Sequence, residues 1–252
     1  MLFRRIAVFV ALAGLMYVSP AASAVLIDNF DAGTVVVRKT AIAGTTVLNA
    51  GTAIAAGNTI GNYRKLHING AGPAPAAVIS LATDQVNNPG LLDLTASSTG
   101  RGTSAVIWDA NNGVAGLGGV NLKPAGEVAF RFKAFADLSS VGMTFKLSIT
   151  DTANVVSSYV WNAINGSQNN YIVLFTAMTN AGTVDLTSTK FIRFEIMSTT
   201  VANDAEIDFL ESAGAGVLAV PEPSGIALLV IGASVIGVAQ MRRRRNSIVS
   251  AE

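Results

Sequence analysis

The sequence predicts an all-β, antiparallel β-sandwich with an N-terminal signal helix and a C-terminal transmembrane helix. Three observations carry that expectation. Apolar residues alternate with polar ones at period two along the middle of the chain. Turn-forming Asn, Asp, Gly and Pro clusters separate these runs. The long apolar stretches sit only at the two ends.

The alternation is plainest in four segments. In "EVAFRFKAFA" Val128, Phe130 and Phe132 fall on one face, with Glu127, Arg131 and Lys133 on the other. "MTFKLSIT" sets Phe145, Leu147 and Ile149 against Lys146 and Ser148. "KFIRFEIM" sets Ile192, Phe194 and Ile196 against Arg193 and Glu195. "AEIDFLE" sets Ile207 and Phe209 against Glu206 and Asp208. A strand with one apolar face has one buried and one wet side. "NYIVLF" is apolar on both faces, as a central strand would be. Shorter candidates are "VLIDNF", "TVVVR", "KLHI", "AAVISLA", "SAVIWD" and "VVSSYVW". Asn49-Ala50-Gly51, Asn69-Gly70, Asn88-Pro89-Gly90, residues 109–113 and Asn165-Gly166 read as turns. Roughly ten or more short strands at this spacing indicate two packed sheets sharing one core. Residues 40–58, mostly Ala, Gly and Thr, read equally as a loop or a weak edge strand.

The 252 residues are 50% hydrophobic and only 13% charged. The end segments account for that excess. Residues 1–24 read as a signal peptide. Arg4 and Arg5 precede an apolar run of thirteen residues, 6–18, and Ala22-Ser23-Ala24 offers small residues for signal peptidase. Residues 225–241 are seventeen without a charge, about 26 Å as a helix. Arg242 to Arg245 follow at once and hold that end in the cytoplasm. Pro221 and Pro223 enforce an extended approach to the segment and expose Glu222 between them. The expected division is a signal peptide at 1–24, the sandwich at 25–212, a linker at 213–220, a sorting segment at 221–245 and a short cytoplasmic tail at 246–252.

With the ends set aside, residues 25–220 hold 11 Lys and Arg against 14 Asp and Glu, a net charge of −3. The basic pairs Arg38-Lys39 and Arg64-Lys65 make no stripe against phosphates, so nucleic acid is not an expected partner. The chain has no cysteine, which excludes thiol catalysis and Cys-based metal sites.

The order of Pro221-Glu222-Pro223, a short apolar helix and an arginine cluster resembles the PEP-CTERM sorting domain of Gram-negative bacteria. The resemblance implies exosortase as a partner, processing near the Pro-Glu-Pro motif, and a transient single-pass anchor in the membrane. Delivery to the cell surface or extracellular matrix would follow. "VLIDNFDAG" near the start and "DLTSTKFIRFEI…AEIDFLESA" near the end resemble galactose-binding-like jelly rolls, in which the first and last strands are neighbours. That likeness implies a carbohydrate-binding-module-like sandwich. It also implies that Asp28, Asp31 and Asp208 converge, where domains of this type often carry a structural calcium; no other cofactor is expected.

Catalysis finds little support. His67 is the only histidine, and no G-x-S-x-G, H-E-x-x-H or phosphate-loop motif is present. Glu127 and Glu195 are candidate paired carboxylates for glycoside hydrolysis, but solvated sheet faces carry acids in the same way. Trp108 and Trp161 are candidate sugar-stacking platforms, although each ends an apolar strand, where a buried ring is the commoner outcome; Arg101, Asp109 and Asn111 would add hydrogen bonds beside Trp108. The expectation is therefore a non-enzymatic surface or matrix protein binding exopolysaccharide. The alternatives are a carboxylate-dependent extracellular glycoside hydrolase and a purely structural surface domain.

Overall fold

A computed structural model describes residues 24–40, 48–69, 77–84, 88–111, 114–138 and 142–214. The expected signal helix, transmembrane helix and Pro221-Glu222-Pro223 motif lie outside the described residues. Among those described, no helix is long and apolar enough to cross a membrane.

The described chain forms thirteen strands: β1 (Ala24–Asp28), β2 (Val35–Thr40), β3 (Leu48–Ala53), β4 (Tyr63–Asn69), β5 (Val78–Asp84), β6 (Asn88–Ala96), β7 (Gly102–Trp108), β8 (Glu127–Leu138), β9 (Met143–Asp151), β10 (Val156–Asn162), β11 (Asn169–Leu174), β12 (Thr189–Ser198) and β13 (Asn203–Gly214). They build two antiparallel sheets. One runs β11-β8-β13-β6-β5-β2, with β1 also on β13; the other runs β10-β9-β12-β7-β4-β3. Strands β6 to β13 take the order β6-β13-β8-β11 in the first sheet and β7-β12-β9-β10 in the second. Each successive strand changes sheet except β9 to β10, a hairpin within the second sheet; this is the double Greek key of a jelly roll. The first sheet is extended by β5 and β2, the second by β4 and β3. The first and last strands are neighbours: Ala24 pairs with Ala213 and Leu26 with Glu211.

Period-two patterning sets the core. Phe130 and Phe132 from β8, Phe145 and Leu147 from β9, and Ile192 and Phe194 from β12 are all buried between the sheets. Phe132 is the hub. Its ring stacks on Tyr171 at 4.8 Å and meets Trp161, Phe194 and Phe145 edge-on at 5.0, 4.9 and 5.4 Å. Such pairs contribute about 0.5–1.5 kcal/mol each beyond their buried area.

Several local expectations change. "NYIVLF" is not a central strand: β11 is an edge, and Ile172 and Leu174 are 45% and 48% exposed. Asn49-Ala50-Gly51 lies inside β3, and Asn88-Pro89-Gly90 opens β6, so neither is a turn. The ambiguous stretch after Thr40 yields the edge strand β3. The sandwich also runs past residue 212, because Ala213 and Gly214 still pair with Ala129 and Glu127.

Candidate functional site

The carboxylate of Asp28 is the centre of a buried network, not of a calcium site. Its Oδ1 accepts the Phe30 backbone N–H at 2.8 Å and a hydrogen from Arg64 Nη2. Its Oδ2 accepts Arg64 Nε at 2.7 Å and Trp108 Nε1 at 2.8 Å, with Thr59 Oγ1 at 3.0 Å. Arg64 Nη1 donates to the Ala32 carbonyl at 3.1 Å and to Thr83 Oγ1 at 3.2 Å. Its guanidinium carbon stands 5.0 Å from the centroid of the Phe30 ring. Asp28, Arg64 and Trp108 are each fully buried. Both oxygens are committed to the guanidinium fork, which leaves no lone pair aimed at an open metal position.

The other two acids do not join Asp28. Asp31 is exposed and accepts Asn29 Nδ2 at 2.7 Å. Asp208 pairs with Lys133 at 3.3 Å. Among the described residues no group of three His, Cys, Asp or Glu side chains could hold a metal ion. The calcium expectation for Asp28, Asp31 and Asp208 is thus corrected by the arginine that the sequence reading left out.

The tryptophans are not platforms either. Trp108 is sealed in the core with its indole N–H on Asp28. Trp161 is 8% exposed, and its N–H donates to the Ile172 carbonyl of β11 at 3.2 Å, across the edge of the sandwich. Arg101 and Asp109 flank β7 at opposite ends, so they do not share a loop site. Asp109 instead accepts Lys65 Nζ at 2.6 Å and the Asn111 N–H at 2.9 Å.

What the fold does assemble is the outer face of the six-stranded sheet. Register places His67 opposite Ala105, Ala105 opposite Glu195, and Glu195 opposite Lys146. The neighbouring row runs Lys65, Ile107, Arg193 and Ser148. These two rows are contributed by β4, β7, β12 and β9 and span about 14 Å at the usual strand spacing. Arg193 Nη2 lies 3.2 Å from His67 Nδ1 and 3.0 Å from Glu195 Oε1. Lys146 Nζ stands 3.7 Å from Glu195 Oε2. Ala105, though it faces outward, is fully buried beneath these side chains. At the rim, the Tyr63 ring lies over Gly51; a Cβ there would come within 2.8 Å of Cζ. Lys65 Nζ sits 5.7 Å from the centroid of that ring.

The electrostatics follow from the geometry. An arginine can only donate, so Nδ1 of His67 accepts and the neutral imidazole carries its proton on Nε2. Burial pushes the His67 pKa below its usual range, and the Arg193 guanidinium pushes it further; Glu195 pulls weakly the other way. A triad base needs the reverse polarity, an Nδ1–H held by a carboxylate. The hydrolase candidates also separate, because Glu127 begins β8 in one sheet and Glu195 lies in β12 of the other. Glu127 is buried and accepts the Ala125 N–H at 3.0 Å.

The sequence reading missed Arg64, Lys65, Tyr63 and Arg193 as site residues. A signal was present for Arg64, which alternates with Leu66 and Ile68 and so falls on their inward face. A charge on an apolar face calls for a buried partner.

No protein-family model and no curated protein matches the chain. Among solved structures it is similar to a Family 11 carbohydrate-binding module from Clostridium thermocellum in complex with a β-1,3-1,4-mixed-linked tetrasaccharide. That overlap has 12% identity and a TM-score of 0.40 over 78% of this chain and 98% of that one. A carbohydrate-binding module specific for non-crystalline cellulose overlaps at 11% identity and a TM-score of 0.33, over 54% of this chain and 78% of that one. An agarase overlaps at 15% identity and a TM-score of 0.39, over 50% of this chain; the chain spans only 22% of the agarase. With TM-scores under 0.5, these likenesses add nothing to the two-sheet wrap read from the strand order.

Proposed function

We propose that this is an exported, non-enzymatic surface or matrix protein that binds polysaccharide on the outer face of its six-stranded sheet. One observation carries the binding reading: Tyr63, Lys65, His67, Arg193 and Glu195 form a pre-ordered, solvent-accessible array across that face. The Lys65, Lys146 and Arg193 side chains remain 26%, 34% and 31% exposed although each is paired. Sugars are recognised by hydroxyl hydrogen bonds to fixed polar groups and by ring faces packed on aromatic rings. With His67 neutral, the cations Lys65, Lys146 and Arg193 meet two carboxylates, Glu195 on the face and Asp109 at its edge, a balance suited to a neutral or weakly acidic polymer.

The test is retention of the full chain on purified exopolysaccharide in an affinity gel. Tyr63→Ala and Arg193→Ala are expected to lose most of the retention while leaving the fold intact. Unchanged retention in both would remove this face from the account. No retention of the unaltered chain would leave the purely structural reading.

Sorting is proposed on the sequence alone. Exosortase processing near Pro221-Glu222-Pro223, preceded by signal-peptidase cleavage, would carry the sandwich to the surface. Mass spectrometry of the protein's termini in exosortase-positive and exosortase-deficient cells decides it. An intact C-terminal peptide in both defeats the proposal.

A further inference from the structure

Both ends of the described chain leave the sandwich at one pole. Ala24, the first residue of β1, pairs with Ala213, and Gly214, the last of β13, pairs with Glu127, the first of β8. Leu174, the last residue of β11, lies opposite Ala129 in the same row. Val156, the first of β10, opposite Thr150, stands at this pole too. Three of the exposed large apolar residues stand at this end of their strands: Val128 at 36% and Leu174 at 48% on one sheet, and Val156 at 47% on the other. The turn leading into β8 adds exposed Lys123, Pro124 and Ala125, with Lys123 Nζ 5.5 Å from the centroid of the Phe175 ring. Glu127, Asp151, Asp185 and Lys190 also stand near this pole, and Glu127 and Asp151 are buried. Asp185 is turned into its own loop, where its Oδ1 accepts the Thr187 N–H at 2.9 Å, and Lys190 Nζ donates to Asn154 at 2.8 Å. The described residues of the opposite pole are polar by contrast, with exposed Asn162, Asn165, Ser167 and Gln168 around exposed Ile164.

We propose that this pole docks on the lipid surface of the membrane in which the chain is anchored. The inference rests on reading residues 225–241 as a membrane segment. Ten residues separate Gly214 from Gly225. Fully extended they reach at most about 35–40 Å, and Pro221 and Pro223 restrict how they fold back. A tether this short holds Val128, Val156 and Leu174 within reach of the headgroup region, where half-exposed apolar side chains gain by leaving water and Lys123 meets anionic lipid. The sugar-binding face proposed above lies along the flank of the sandwich and stays open when the pole is docked.

The absence of cysteine in the chain allows single-site labelling. The full chain is reconstituted in vesicles of phosphatidylethanolamine and phosphatidylglycerol carrying a doxyl-lipid quencher. An environment-sensitive fluorophore is placed by Leu174→Cys, Ile164→Cys or Ala227→Cys. The expected result is loss of fluorescence at positions 227 and 174 and none at 164. Loss at 227 with 174 no different from 164 overturns the docking and leaves the tail reading standing. No loss at 227 removes the tail reading and the docking with it. Val156→Cys reports on the same pole should a label at 174 disturb β11.

Discussion

Asp28 shows how one residue's role depends on groups far away in sequence. Its neighbours Asn29 and Asp31 suggest a cation loop, yet its ligands come from Arg64 on β4 and Trp108 on β7. The ion pair bridges the two sheets, since β1 lies on one and β4 on the other. Arg64→Met alone leaves a buried carboxylate uncompensated and is expected to cost about 3–5 kcal/mol of stability, read from the urea midpoint. The double change Asp28→Leu with Arg64→Met is expected to recover much of that loss, because no charge is then left buried. His67 provides a pH test. Its folded-state pKa lies below the ordinary histidine value, so as pH falls below about 6.5 the unfolded chain takes up the proton first. The His67 contribution is therefore present above that pH and is lost as pH falls through the folded value. Urea midpoints are expected to drop between pH 7.5 and pH 5, and the drop to shrink in His67→Gln; an equal drop in both removes His67 as the cause.

At the scale of elements, alternation located most strands and misjudged the punctuation. The Phe-rich strands β8, β9 and β12 were legible because each has one apolar and one polar face. Strand β6 was hidden by Asn88-Pro89-Gly90, which sits at a register shift in the β5 pairing; only the residues from Leu92 onward pair regularly with β5 and β13. β11 was legible as a strand but not as an edge: apolarity on both faces says nothing about whether a second strand lies alongside. Its inner pair Tyr171 and Val173 fills the core, and the outer pair Ile172 and Leu174 meets solvent. Loops also act as parts of the sheet. The segment after β7 returns to β12, where Leu117 N–H meets the Lys190 carbonyl at 2.8 Å and Val120 bonds Thr189 in both directions. Gly116 sits in that return at φ 59°, and a Cβ there would overlap the Lys190 carbonyl oxygen. Gly116→Ala is expected to cost about 1–3 kcal/mol in thermal or urea unfolding. Gly118→Ala, with open space at its Cβ position, is expected to cost less.

At the scale of the whole molecule, the jelly-roll order makes partners of distant segments. β8 pairs with β13, β9 with β12, and β1 with β13. Because such pairings close long loops before any contact stabilises them, refolding is expected on the milliseconds-to-seconds scale typical of sandwiches. Stopped-flow dilution from urea checks this, and a microsecond phase carrying all the amplitude would contradict it. The same closure explains why Ala24 and Gly214, the two ends of the described chain, lie together and why the charged rows on the outer face exist at all. Composition and period-two spacing alone determined that the middle of this chain is β and which faces of β9 and β12 are apolar. Those properties depend only on near neighbours in the chain. Tertiary structure alone decided that Asp28 meets Arg64 and Trp108, and that His67, Arg193 and Glu195 share a surface. Cross-strand register brings together residues more than a hundred positions apart, and no local pattern encodes that register.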